Sequence, residues 1–141
     1  MQNSNDDLRK IFTEAKVIAL VGWSPNPDRP SHRVAAYLVG RGYRVIPVNP
    51  GQAGKVVGGE MVRASLSDIA DHVDMVDIFR RSEEAGAVVD EALRVLPGLK
   101  TIWMQLGVED PVAAGLARAA GVAVVMNRCP AIEIPRLFGA Q

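Results

Sequence analysis

The fold is decided by the stretch Val17-Ile18-Ala19-Leu20-Val21, which is followed directly by Gly22-Trp23-Ser24-Pro25. The first five residues are all apolar, which is typical of a strand buried on both faces of a parallel sheet. The glycine starts a Gly/Pro-rich loop that runs to Pro30. A helix is predicted after that loop. A buried strand, a loop and a helix in this order indicate an α/β domain.

The rest of the chain repeats the same alternation of short apolar runs and amphipathic segments. Strands are predicted over residues 17–21, 44–48, 75–79, 101–106 and 122–126. Helices are predicted over 6–14, from an N-capping Ser31 to Gly40, over 67–70, over 83–96 and from Asp110-Pro111. Residues 51–61 are glycine-rich and expected to be irregular. The pattern predicts one α/β domain over residues 1–141, with a Rossmann-like doubly wound sheet of about five parallel strands and helices on both faces.

Composition excludes several classes of function. Sixteen basic and sixteen acidic side chains cancel, so no net field draws the chain to nucleic acid or to an anionic membrane. The longest apolar runs fall far short of the ~20 residues of a membrane helix, and the N-terminus has no signal-peptide pattern. The single cysteine, Cys129, cannot form an internal disulfide. We therefore expect a cytoplasmic protein.

In a doubly wound sheet, ligands bind beyond the carboxyl ends of the strands, so the residues after each strand are the candidates for function. After the first strand, Gly22 and Ser24 precede Arg29, Ser31 and Arg33. Backbone N–H groups, the start of a helix and guanidinium groups suit phosphate. A stiff proline-rich connection with solvated arginines is the alternative interpretation.

The loop is not the usual dinucleotide fingerprint. That motif requires G-x-G-x-x-G and an acidic residue after the second strand. Here Ser24 replaces the second glycine, and the second strand ends in Asn49-Pro50. Asn49 is expected either to hydrogen-bond a ribose or adenine edge or to cap a turn before the proline.

The later strands end in further candidates. Phe79-Arg80-Arg81 suits a nucleotide ring and phosphate, with at least one arginine expected to be solvated. Gln105 needs a partner if it is buried, and contact with the next strand exit is as plausible as contact with a ligand. Cys129 is expected to be a small buried residue rather than a nucleophile. No cluster has the spacing of metal ligands, and no catalytic residue is predicted.

Five segments, in order, resemble the small stand-alone CoA-binding proteins, whose Rossmann domain is similar to the CoA-binding domain of succinyl-CoA synthetase alpha chains. The first segments are Gly22-x-Ser24-Pro25 with Arg29 to Val34, and Gly42 to Pro50. The others are Val76 to Ser82, Trp103 to Gly107, and Asn127-Arg128-Cys129-Pro130-x-x-Glu133. The resemblance covers nearly the whole chain. Pro130-Ala131 departs from the expected pattern.

The resemblance implies that coenzyme A or an acyl-CoA binds across the strand ends as a small-molecule ligand. It places Gly22, Trp23, Ser24, Pro25 and Arg33 on the phosphate side, Asn49 and Pro50 near the nucleotide, and Phe79 and Arg80 on the far wall. Arg29 adds a phosphate-binding cation. The alternatives are a subunit or fragment of an acyl-CoA ligase-type enzyme, and an NAD(P)-binding redox sensor. A homo-oligomer or a protein partner is compatible with each alternative.

Overall fold

A five-stranded parallel sheet forms the centre of the protein in a computed structural model that describes residues 3–140. Its strands are β1 (Val17–Val21), β2 (Arg44–Val48), β5 (Met75–Ile78), β6 (Thr101–Met104) and β7 (Ala123–Val125). They lie in the order β2-β1-β5-β6-β7. The chain thus reverses direction across the sheet between β1 and β5, which is the switch point of a doubly wound fold. The predicted fold class is confirmed.

Helices cover both faces of this sheet. The helices are α1 (Asn5–Glu14), α2 (Pro30–Gly40), α3 (Ser82–Val95), α4 (Pro111–Ala119) and α5 (Pro130–Phe138). Alternate residues of β1 point to opposite layers: Ile18 and Leu20 pack with α1, α2 and α5, whereas Ala19 and Val21 pack with α3 and α4. This explains why β1 is apolar at every position.

Between β2 and β5 the chain is more ordered than expected. The segment predicted to be irregular contains a 3₁₀ turn (Pro50–Gln52) and an antiparallel hairpin of β3 (Val56–Val57) and β4 (Glu60–Met61). Arg44 fastens the hairpin to β2, since its Nε lies 2.7 Å from the Glu60 carboxylate. Two-residue strands carry too little pattern to be predicted from sequence.

Two local predictions need correction. Ser31 does not cap α2, because Arg29 occupies the cap position and Pro30 begins the first turn, which leaves Ser31 inside the helix and buried. Proline is favoured at that first position because its missing N–H would have no partner there. The short helix predicted over 67–70 is a 3₁₀ turn over Leu66–Asp68.

Candidate functional site

A cleft of about 900 Å³ opens at the carboxyl ends of β1, β2, β5 and β6, across the switch point. Its walls are formed by residues from the exits of these strands, from the first turns of α2 and α3 and from the start of α5. They are Gly22, Trp23, Ser24, Arg29, Pro30, Ser31, Asn49, Phe79, Arg80, Arg81, Glu84, Gln105, Leu106, Gly107, Val108 and Cys129.

Gly22 is the point where the ends of three strands meet. Its N–H donates to the carbonyl oxygen of Val48 on β2 over 2.9 Å. On its other side, a Cβ would overlap the carbonyl oxygen of Phe79 and lie 2.9 Å from its carbonyl carbon. Its φ of +92° is also a conformation that other residues rarely adopt. A glycine is therefore required for β1 and the exit of β5 to approach this closely.

The loop between β1 and α2 is held by its own polar groups. Ser24 Oγ accepts from the N–H of Asn26, and Asn26 Oδ1 accepts from the N–H of Asp28. Nδ1 of His32 lies 3.0 Å from the carbonyl oxygen of Ser24. The guanidinium of Arg33 donates to the carbonyl oxygen of Asp28. These bonds fix the backbone at the start of α2 before any ligand is present.

Asn49 joins the same loop to the end of β2. Its side-chain Nδ2 donates to the carbonyl oxygen of Trp23 over 2.6 Å, and its Oδ1 accepts from the N–H of Gly51 over 2.9 Å. Of the two roles considered for Asn49, the structure thus shows the turn cap, together with a clamp on Trp23. Trp23 is itself buried, and its ring centroid lies 5.8 Å from that of His32.

Two helices present their N-terminal ends to the cleft, and their charges differ. The first turn of α2 contains no acidic residue. The first turn of α3 contains Glu83 and Glu84. Glu84 binds both neighbouring arginines, at 2.7 Å from Arg80 Nη2 and 3.2 Å from Arg81 Nε, and these bonds lower the pKa of its carboxyl. A carboxylate therefore already occupies the positive end of α3, whereas that of α2 has none.

Arg29, the residue before α2, is exposed on the cleft wall. Within residues 3–140 its guanidinium makes no hydrogen bond or ion pair with the protein. Of the three arginines that line the cleft, it is thus the one without a carboxylate partner among the described residues, since Arg80 and Arg81 both pair with Glu84.

Seven of the ten residues predicted for the site line this one cleft: Gly22, Trp23, Ser24, Arg29, Asn49, Phe79 and Arg80. Pro25 and Pro50 are exposed nearby and outside the lining. Arg33 also lies outside the lining and holds the loop through the Asp28 carbonyl. The guanidinium of Arg33 thus bonds the loop backbone instead of lining the cleft, which sequence spacing alone did not reveal.

The cleft also contains residues that were not among the predicted site. Gln105 and Cys129 follow strands in the sequence and are not among those ten residues, yet both line the cleft and both are buried. Leu106 and Gly107 lie in one of the segments that carry the family resemblance, whereas Glu84 and Val108 carried no signal in the sequence. These four residues reach the site because β6 ends, and α3 begins, beside the exit of β5.

The described residues show neither a metal cluster nor a membrane span. Within residues 3–140, no group of three or more His, Cys, Asp or Glu side chains could hold a metal ion. None of the helices in this range is long and apolar enough to cross a bilayer.

Comparison with known proteins gives related chains of the same size. The uncharacterized protein YneT of Bacillus subtilis (strain 168) is 36% identical over 130 residues, which are 92% of this chain and 93% of YneT. A solved structure described as cell-free ID.343 from Thermus thermophilus is 37% identical, with a TM-score of 0.90, and the match covers 96% of this chain and all of that one.

A larger enzyme shares the fold. The dinucleotide-forming acetyl-coenzyme A synthetase 1 of Ca. Korarchaeum cryptofilum superposes with a TM-score of 0.69 at 23% identity, over 86% of this chain and 27% of the synthetase. A family model described as a CoA binding domain matches residues 16–135, which span β1 to the middle of α5 and include every residue that lines the cleft. The chain therefore belongs to the CoA-binding domain family.

Proposed function

We propose that the cleft at the carboxyl strand ends binds coenzyme A, or an acyl-CoA, and that the protein acts by binding rather than by catalysis of its own. The observation that carries this proposal is the start of α2, where a preformed loop, a first helical turn without acidic residues and the unpaired Arg29 face one cleft. Membership of the CoA-binding domain family supports the same ligand.

The charge of the ligand suits this arrangement. Coenzyme A carries about four negative charges when it is fully ionised, on a pyrophosphate and a 3′-phosphate. The protein has no net charge, so it must concentrate cations locally to hold such a ligand. Arg29, Arg80 and Arg81 all line the cleft, and Glu84 offsets part of the charge of the latter two.

The difference between the two helix ends favours one orientation of the ligand. A phosphate group at α3 would compete with the Glu84 carboxylate for Arg80 and Arg81. A phosphate group at α2 would meet the positive helix end and Arg29 without such competition. We propose that the phosphates bind at α2, and that Arg80 and Phe79 contact the ligand from the β5 side.

Two observations count against a nicotinamide dinucleotide as ligand and against Cys129 as a nucleophile. The second strand ends in Asn49-Pro50, without the carboxylate that usually binds the ribose of a nicotinamide dinucleotide, and the side-chain amide of Asn49 already makes two hydrogen bonds to the protein. The imidazole nearest the cleft, that of His32, is bound to the loop backbone and is not paired with Cys129. Both observations therefore leave binding of coenzyme A as the favoured function.

Arg29→Ala tests the assignment of the phosphate end. We expect this variant to bind coenzyme A roughly 10- to 100-fold more weakly, because it removes one charge-assisted hydrogen bond, about 1.5–3 kcal/mol. Arg94→Ala is the matched control, since Arg94 is an exposed arginine near the end of α3 that pairs with Asp90. Isothermal titration of both variants measures the effect. Equal affinities for the two variants would exclude a phosphate contact at Arg29.

A further inference from the structure

Gln105 is a buried polar residue on the cleft wall whose side-chain oxygen has no partner. It follows β6 directly, and its N–H donates to the carbonyl oxygen of Ile78 over 3.2 Å. Only 5% of the residue is exposed, and Oε1 makes no hydrogen bond within residues 3–140. Buried side-chain oxygens in that range are also left unpaired at Gln52 and Asp77, but neither residue lines the cleft.

Unpaired buried amides are uncommon, because they lose their bonds to water without replacement. Rotation of the terminal amide of Gln105 can bring its oxygen into contact with a hydrogen-bond donor. Its terminal torsion is soft and roughly two-fold, so a rotation turns the oxygen toward the cleft without moving the rest of the side chain. A ligand N–H or O–H in the cleft would then complete the hydrogen bonding that the protein leaves open.

The wall around Gln105 is uncharged. The charged residues that line the cleft belong to the start of α2 and to the segment after β5, whereas Gln105 is followed by Leu106, Gly107 and Val108. Leu106 is 55% exposed although it is apolar. In the sheet, β6 and β7 lie on the far side of β5 from β1. The cleft therefore has a cationic side at β1 and β5 and a neutral side at β6.

We propose that the neutral side binds the pantetheine arm of the ligand, and that the amide of Gln105 hydrogen-bonds an amide or hydroxyl group of that arm. This inference rests on the proposed binding of coenzyme A. The arm is uncharged, carries two amides, a hydroxyl and a dimethyl group, and extends away from the phosphates. Gln105 supplies the polar partner, and Leu106 and Val108 supply apolar contact. Gln105 is thus a determinant of specificity for the arm rather than for the nucleotide.

The proposal is tested by measuring the affinities of two ligands for the unaltered protein and for one variant. The ligands are coenzyme A and adenosine 3′-phosphate 5′-diphosphate, which keeps the nucleotide and its phosphates and lacks the arm. The variant is Gln105→Met, which keeps the length of the side chain and removes its polar group. We expect it to bind coenzyme A roughly three- to tenfold more weakly, the value of one neutral hydrogen bond, and to bind the armless nucleotide as the unaltered protein does.

Gln52→Met is the matched control, because Gln52 also has an unpaired buried oxygen and lies outside the cleft. It should leave both affinities unchanged. Thermal unfolding of Gln105→Met should show a folded protein at least as stable as the parent, since an unpaired amide has been removed. The inference is overturned if Gln105→Met leaves coenzyme A binding unchanged, or weakens both ligands equally. If the unaltered protein binds neither ligand, the proposed function itself is wrong.

Discussion

Gly22→Ala is expected to lose about 3–5 kcal/mol of folding free energy, which is large for the addition of a single methyl group. Two effects combine. The φ of +92° is strained for alanine, and the new Cβ would overlap the backbone carbonyl of Phe79. Since that carbonyl belongs to the exit of β5, relief of the overlap requires the strand ends at the switch point to separate. Chemical denaturation of the purified variant measures the loss.

The same substitution elsewhere provides the control. Gly115 lies exposed within α4, and a Cβ there would meet no atom within 4 Å. Gly115→Ala should therefore be neutral or stabilise the protein by up to about 1 kcal/mol, because alanine favours helix more than glycine does. Any Gly22→Ala protein that remains folded should also bind coenzyme A more weakly, since Gly22 and Phe79 both line the cleft. A loss no larger than that of ordinary surface substitutions would show that the strand ends separate easily.

Asp77→Asn is expected to make the protein more stable at neutral pH. Asp77 lies in β5 between Leu20 and Trp103 of the flanking strands, is fully buried, and neither carboxyl oxygen has a partner among residues 3–140. Burial raises the pKa of this carboxyl well above its ordinary value. The folded protein therefore keeps the proton that the unfolded chain releases near pH 4.

The sign of the pH dependence follows. Below about pH 4 both states are protonated, and Asp77 carries no penalty from ionisation. As the pH rises, the unfolded chain ionises and the folded protein does not, which costs about 1.4 kcal/mol per pH unit until the pKa of the folded state is reached. Asparagine does not titrate, so the advantage of Asp77→Asn should grow from about pH 4 upward. Urea denaturation at a series of pH values from 4 to 8 measures this difference.

Asp90→Asn is the control for the carboxylate change, because Asp90 is exposed on α3. Its effect on stability should be small, because an exposed ion pair such as that of Asp90 with Arg94 contributes little. If the advantage of Asp77→Asn did not change with pH, the carboxyl of Asp77 would be ionised in the folded protein at ordinary pH. A charge-stabilising partner would then have to be present in the core.

The parts of the fold that followed from the sequence are those with a strong burial pattern. β1 and β2 begin and end where predicted. β1 is a continuous apolar run stopped by Gly22, and β2 is an apolar run after Arg44, stopped by Asn49-Pro50. The hairpin of β3 and β4 was missed, since it rests on cross-strand pairs and on the ion pair of Arg44 with Glu60. No helix was predicted over α5, because Pro135 lies inside its pattern and its position depends on packing with α1 and α2.

The site was predictable to the extent that strand order determines it. Residues directly after β1, β2 and β5 were identified as neighbours from the parallel pattern, and they do line one cleft. The direction of each side chain could not be predicted from the order of the strands. The guanidinium of Arg33 bonds the loop carbonyl of Asp28, and the side-chain amide of Asn49 bonds Trp23 and Gly51. The inclusion of Gln105 depends on the β6 exit lying beside β5, which local sequence does not encode.

The most direct test of the central claim is calorimetric titration of ligand-free protein with coenzyme A, dephospho-coenzyme A and NAD in parallel. The proposed site predicts tight binding of coenzyme A, weaker binding of dephospho-coenzyme A because one phosphate is lost, and no response to NAD. Absence of heat with coenzyme A, confirmed by an unchanged unfolding temperature at saturating ligand, would contradict the proposal. Binding of NAD as tight as that of coenzyme A would contradict it equally.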